Sequence, residues 1–419
     1  MLFRSQIVSE VAGKLEFAEA FGYRSAADVF REHAALSSFE NGGTRDFDIG
    51  GLAALSDADY DALAPVQWPL PAGATPGERR FFANGGFFTA DRKGRFIAPE
   101  PPALRDDTSA AFPLRLNTGR IRDQWHTMTR TGMSPRLATH LPEPFVEVHP
   151  DDAGRAGLLD GGFARVATAQ GACIVKVTVS EDQQAGSLFL PIHWSGDTAS
   201  CARADDLVAA CIDPYSGQPE AKATPASIAP VAFAMRGFVR THRPIALPNA
   251  TWWTRVATTD GHEYRIASNH GPMVWHDFAY GLLPADAKLA EHLDQRTYRA
   301  TAIVDGEVDG LLCIGPPDQP LSVGDLSALD VHDADNPLAR ISASVSMTGT
   351  EPVVCACFGV GEDCIRRAVA TGEAGNVTEI GLATRAGTNC GSCLPELKQI
   401  VVQERNKARA KQRLQEPAR

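Results

Sequence analysis

The spacing of hydrophobic positions changes along the chain, and each change marks a new kind of element. Over roughly the first hundred residues it is helical: Ile7, Val11 and Leu15 recur one turn apart, with Gly22 as a stop. Ser25 with Asp28 three residues later reads as a capping box ahead of Val29 and Phe30. Ser56 with Asp59 repeats the signal before Tyr60 and Leu63, and Pro65 ends that helix. The stretch APEPPALRDDTSAAFP, in which Pro99, Pro101 and Pro102 crowd together, has no apolar period and reads as an extended linker. Beyond it the period falls to two. In ACIVKVTV, Cys173, Val175, Val177 and Val179 share one face while Ile174, Lys176 and Thr178 share the other, and Gly161-Gly162 and Gln170-Gly171 supply turns. Short strands joined this way from about Leu114 to Val231 predict a closed β-barrel.

From 232 to 348 the pattern mixes α and β character without visible chemistry, and the adjacent Trp252 and Trp253 read as packing residues. Helical spacing then returns. Ile365 and Val369, and later Ile380, Leu382 and Ala383, fit two short helices joined by TGEAGN, and Pro395 fits the first turn of a third, LPELKQIV. The final QERNKARAKQRLQEPAR is mostly basic and reads as a solvated helix end. The expected fold is therefore multidomain α+β, divided at 1–100, 111–231, 232–348, 350–402 and a basic tail at 403–419.

Composition narrows the function classes. A chain of 419 residues with 44% hydrophobic content is long enough for several buried cores. Its net charge of -11 argues against nucleic acid as a partner, since phosphate binding needs concentrated Lys and Arg. Glu10 and Glu16 interrupt the amino-terminal stretch where a secretory leader would be apolar, and no apolar run reaches membrane-spanning length, so the expected setting is the cytoplasm with no membrane partner.

Nine cysteines are present, and Cys173, Cys201, Cys211, Cys313 and Cys364 are scattered as packing thiols would be. The other four are paired: Cys355 and Cys357 as C-x-C, Cys390 and Cys393 as C-x-x-C. Four thiolates satisfy either a structural zinc or the two irons of a 2Fe-2S cluster. The C-x-C spacing is less typical of zinc, and glycines at 359, 361, 387 and 391 let backbone N–H groups approach sulfur. The order CACFGVG, helix, ATRAGTNCGSCLPEL resembles the bacterioferritin-associated ferredoxin-like 2Fe-2S domain over roughly fifty residues. That resemblance implies Cys355, Cys357, Cys390 and Cys393 as cluster ligands in a small helical domain.

In the middle region, LNTGRIRDQWHTMTRTG at 116–132 concentrates chemistry. Arg120 and Arg122 offer forked donors, and Gln124, Trp125, His126, Thr127 and Thr129 add stacking and hydrogen-bonding groups, a set suited to an extended ligand bearing phosphates. A lone TGR would be an ordinary surface turn; the density of functional groups favours a ligand. With EPFVEVHPDDA, LPIHW and DPYSGQPEAKATP, this region resembles the molybdopterin-dinucleotide-binding domain of bacterial molybdopterin oxidoreductases, most closely the assimilatory nitrate reductases. The resemblance implies a double-psi β-barrel. It also implies that Thr118, Gly119, Arg120, Gln124, Trp125, His126, Thr127 and Thr129, with His193 and Lys222, line part of a molybdopterin guanine dinucleotide site.

FREHAALS, RDFDIGGL, PVQWP and FFTADRKGRF resemble the closing part of the catalytic domain in the same enzymes, so 1–100 is expected to be a helical remnant of that domain. The cysteine-rich segment and long catalytic region that open such enzymes have no counterpart here, and no residue of the chain is expected to be catalytic. The expectation is a fragment of a molybdenum-dependent nitrate reductase, inactive alone, that takes electrons from a flavoprotein or ferredoxin and pairs with an absent catalytic half. The alternative is a stand-alone electron-transfer or cofactor-holding subunit.

Overall fold

The computed structural model describes residues 4–318 and 353–415, apart from 78, 79, 84, 99, 101, 102, 215, 283–286 and 306. The prolines of the expected linker at 99, 101 and 102, and residues 319–348 of the mixed region, lie outside the described residues. The chain divides into two compact units, Met1–Pro102 and Ala103–Arg419.

The first unit carries helices α1 (Arg4–Lys14), α2 (Ala26–Ser38) and α3 (Asp57–Asp61). Both capping signals operate. The Ser25 hydroxyl accepts from the Asp28 backbone N–H and the Ser56 hydroxyl from that of Asp59, each satisfying an otherwise orphaned donor. A core of Ala34, Ile49, Leu52 and Leu70 forms beneath Phe30 and Phe47. The first helix departs from expectation. It ends at Lys14, well before Gly22, because Glu16 adopts a left-handed φ of 71° and turns the chain. Ile7, Val11 and Leu15 are exposed rather than buried.

In the second unit, β1 (Leu114–Gly119), β2 (Phe145–Val148), β3 (Phe163–Ala167), β4 (Ala172–Val179), β5 (Ser187–Pro191) and β6 (Thr224–Val231) close into a barrel in the order β1-β5-β2-β4-β3-β6. The pairs β1/β5 and β2/β4 are parallel, and the others antiparallel. The predicted alternation is present: Cys173, Val175 and Val177 point inward with Leu116, Val146, Val148, Leu188 and Leu190, all buried. Each large aliphatic side chain so buried contributes about 1.5–3 kcal/mol. Short helices α4 (Pro135–Ala138) and α5 (Pro150–Ala156) sit between strands; His149 caps α5, accepting from Asp151, with Pro150 in its first turn.

A second sheet follows, built from β7 (Met235–Thr241), β8 (Trp252–Ala257), β9 (His262–Ser268), β10 (Lys288–Leu293), β11 (Tyr298–Val304) and β12 (Glu307–Gly315). Its order is β10-β11-β12-β7-β9-β8, antiparallel throughout, with α6 (Pro272–Leu282) packed on one face through the fully buried Trp275. The packing reading of the tryptophan pair holds. Buried Trp252 packs edge-on against Phe163 of the barrel and donates from Nε1 to the Ile174 carbonyl at 2.9 Å. Glu143 is held between Arg265 (2.9 Å) and Lys176 (3.6 Å); burial pushes its carboxyl pKa up, but the two cations outweigh that and keep it below the ordinary value.

The last part contains β13 (Val353–Cys355), β14 (Val360–Gly361), α7 (Glu362–Ala370), α8 (Val377–Thr384) and α9 (Leu394–Gln415). Val354, Ile365, Ala368, Ile380, Leu397 and Ile400 form its own core. Leu382, which falls in a helix as its spacing suggested, is 82% exposed, on the outer side of α8. Cys364, read as a packed thiol, is exposed at the start of α7. Among the described residues no helix is long and apolar enough to cross a membrane.

Candidate functional site

Two neighbouring constellations carry the chemistry, the four clustered thiols and the loop that follows β1. The thiols are brought together by the turn after β13 and by the tight connection between α8 and α9. Gly387 sits at φ 81°, and a Cβ there would lie 2.8 Å from a Leu394 methyl carbon, so only glycine lets the chain pass this closely under α9. The result pairs the two motifs. Cys357 Sγ lies 3.3 Å from Cys390 Sγ, and Cys355 hydrogen-bonds with Cys393; both members of the latter pair are buried.

The two halves differ in electrostatics. Hydrogen bonds from the Ser392 hydroxyl and backbone N–H, and then from Cys357, hold the exposed Cys390 thiol below its ordinary pKa. Burial, with the nearby Cys355, pushes Cys393 up to about 11, although the Gly387 N–H donates to it. Among the described residues no three His, Cys, Asp or Glu side chains gather as they would around one metal ion. Two sulfur pairs, each drawing one cysteine from either motif and receiving backbone N–H groups, form a donor set that fits a two-iron cluster. Cys173 and Cys313, by contrast, are buried in the barrel and second-sheet regions, where burial pushes each thiol up to about 12.

In the loop after β1, the predicted residues separate into two groups. Thr118, Gln124, His193 and Lys222 are engaged with the protein itself. The Thr118 hydroxyl donates to the Ala221 carbonyl at 2.6 Å, the Lys222 ammonium donates to the Thr118 carbonyl, and the Gln124 side-chain carbonyl accepts from Thr131 at 2.7 Å. His193 is fully buried and clamps the loop at two points. Its Nε2 accepts from the Ile121 N–H at 2.9 Å, which leaves Nδ1 to carry the ring proton and donate to the His126 carbonyl at 2.5 Å. Burial lowers its pKa, so the neutral ring that this pattern requires is the favoured form. Gly119 is required for space: a Cβ there would meet the Phe189 ring at 2.6 Å.

The second group faces outward. Arg120, Trp125, His126, Thr127 and Thr129 are exposed. The Arg120 guanidinium lies over the Trp125 ring at 4.9 Å, and the His126 ring meets that indole edge-on at 4.4 Å. His126 and Met128 have φ values of 43° and 61°, which turn the backbone twice in three residues. One cation, an indole, an imidazole and two hydroxyls on a clamped loop fit a phosphate-bearing ligand with flat rings.

Arg122, read from the sequence as a further donor to the ligand, is used otherwise. Its guanidinium bonds Asp123 (3.0 Å), Glu396 of α9 (2.6 Å) and the Val354 carbonyl (2.6 Å). His140 joins the group, 3.3 Å from Asp123 and 3.6 Å from Glu396. Burial pulls the His140 pKa down, but the facing carboxylates of Asp123 and Glu396 outweigh it and hold the pKa above the ordinary value. No local pattern marks this role, because Glu396 and Val354 lie 274 and 232 positions from Arg122.

Comparisons with known proteins match domain families over the two regions that hold these constellations. Residues 114–225 match the Molydopterin dinucleotide binding domain, and residues 353–403 match the BFD-like [2Fe-2S] binding domain. The chain is 38% identical to the Nitrate reductase of Klebsiella oxytoca over 94% of its own length and 45% of that protein. It is 30% identical to the Assimilatory nitrate reductase catalytic subunit of Bacillus subtilis strain 168 over 54% of its length and 30% of that protein. The Periplasmic nitrate reductase of Desulfovibrio desulfuricans is 28% identical over 48% of the chain and 27% of that protein. The chain thus spans less than half the length of each of these relatives. Its cofactors are a molybdopterin dinucleotide and a 2Fe-2S cluster.

Proposed function

We propose that this chain is part of a molybdenum-dependent nitrate reductase, in which it embraces part of a molybdopterin guanine dinucleotide and relays electrons through a 2Fe-2S cluster. The observation that carries the reading is similarity to the Klebsiella oxytoca nitrate reductase along 94% of the chain, running through both constellations. When bound, the molybdenum supplies two-electron reduction of nitrate to nitrite, and the cluster supplies one-electron steps. Cys355, Cys357, Cys390 and Cys393 are the proposed iron ligands. Arg120 presents its charge to the dinucleotide phosphates, steadied by the Trp125 face, while Thr127 and Thr129 donate hydroxyl bonds and His126 and Trp125 offer ring surface. Thr118, Gly119, Gln124, His193 and Lys222 act one step removed, fixing the loop's shape through the bonds and close contacts described above.

In this reading the barrel has double-psi topology and residues 1–100 close a catalytic domain whose remainder supplies the molybdenum ligand. The electron donor is a flavoprotein or ferredoxin. In this reading the setting is the cytoplasm. Anaerobic purification tests the reading: the protein should be brown, with about two irons per chain. Colourless protein carrying one zinc would overturn it.

A further inference from the structure

We propose that Arg122 and Arg136 are positioning residues that clamp the first cysteine motif onto the barrel, holding the thiol-bearing domain beside the loop that follows β1. This deepens the proposed function, since it rests on reading the thiols as a cluster site and the loop as a dinucleotide site.

The contact is drawn from both flanks of the motif. The Val354 carbonyl, one residue before Cys355, accepts from Arg122 at 2.6 Å, and the Cys357 carbonyl accepts from Arg136 of α4 at 3.1 Å. On the helix that follows the second motif, Glu396 takes another Arg122 nitrogen at 2.6 Å. Further along α9, Gln399 donates to Asp182 of the β4–β5 connection at 2.8 Å. Four bonds, to elements far apart in the barrel sequence, define an orientation rather than a single tether.

Arg122 is suited to this task because its guanidinium is planar and can bond a carboxylate and a carbonyl at once, each bond fixing an angle. Its side chain is only 19% exposed, so water competes weakly for those bonds. Surfaces between domains of one chain are commonly mobile unless something specific holds them. Arg122 also stands between Arg120 and Gln124, so the segment that offers a cation to the dinucleotide grips the thiol domain two residues later. Its positive charge beside the first motif favours extra negative charge there, and in particular the reduced form of a bound cluster.

The test uses the full 419-residue chain, prepared anaerobically, with Arg122→Lys, Arg122→Glu and the double variant Arg122→Glu/Glu396→Arg. Hydrogen exchange is measured over 119–126 and 353–358, with iron content and a mediated redox titration alongside. Arg122→Glu should speed exchange in both segments by about tenfold or more while iron content is kept, and should move the midpoint potential negative. The double variant should recover most of the protection. Arg122→Lys, which keeps the charge but not the fork, should loosen both segments while leaving the potential near its original value, and it decides the matter if Arg122→Glu fails to fold. Unchanged exchange in Arg122→Lys and Arg122→Glu would overturn the proposal, as would a double variant that recovers nothing. A chain that binds no iron would defeat the cluster reading alone, and the exchange measurements would still judge the clamp.

Discussion

His193→Ala should open the loop after β1 without unfolding the barrel. The substitution removes the acceptor for the Ile121 N–H and the donor to the His126 carbonyl. The Ile121 N–H lies beside the fully buried ring, so stranding it costs about 1–3 kcal/mol, and loss of the bond to the exposed His126 adds about 0.5–1.5 kcal/mol. The opening free energy of the loop should therefore fall by about 1.5–4.5 kcal/mol. Native-state hydrogen exchange at the Ile121 amide reads this directly, with amides of β2 and β4 as internal references. Two further variants separate the contacts. A glutamine at 193 can place its carbonyl near the Nε2 position and should restore much of the Ile121 protection; an asparagine can place its amide near Nδ1 and should restore the other bond. If Ile121 exchanges at its original rate in His193→Ala, the histidine is not the clamp, and the division of the loop into shaping and presenting residues fails.

Other outcomes follow from the same structure. Cys390→Ser should abolish the visible absorption of the purified chain while Cys364→Ser leaves it largely intact, and equal loss in both would mean the ligand set is wrong. His140 carries a raised pKa in the folded chain, so its contribution is complete below its unfolded value of about 6.5 and is lost as pH rises through the higher folded value. His140→Asn should flatten that decline in a series of thermal melts, and an unchanged slope would count against the Asp123–His140–Glu396 group. His193 has the opposite sign: its stabilisation is present above about pH 6.5 and fades as pH falls from there. Ile365→Ala, at a fully buried site, should cost about 2–5 kcal/mol and lower the temperature at which the visible absorption bleaches.

What the sequence made legible was local. Capping at Ser25 and Ser56 depends on residues three apart, and the inward face of β4 depends on strict alternation, so both can be read without tertiary information. The cysteine spacing likewise declares itself. The clamp by His193 is different, since Ile121 and His126 lie 72 and 67 positions away and nothing near His193 marks it as their partner. Arg122 shows the same limit more sharply: its type and place fit a phosphate donor, yet long-range geometry commits it to Glu396 and Val354. Exposure of Ile7, Val11 and Leu15 shows that helical spacing establishes a helix but not what, if anything, covers its apolar stripe.

The thiol-bearing segment keeps its hydrophobic core and all four clustered cysteines within residues 353–403, a span that matches a single domain family. Such a segment carries its core and its sulfurs together, as a cassette would. The docking address does not travel with it, because Arg122 and Arg136 belong to the host barrel. Grafted onto a barrel lacking those two arginines, the cassette would be left unmoored.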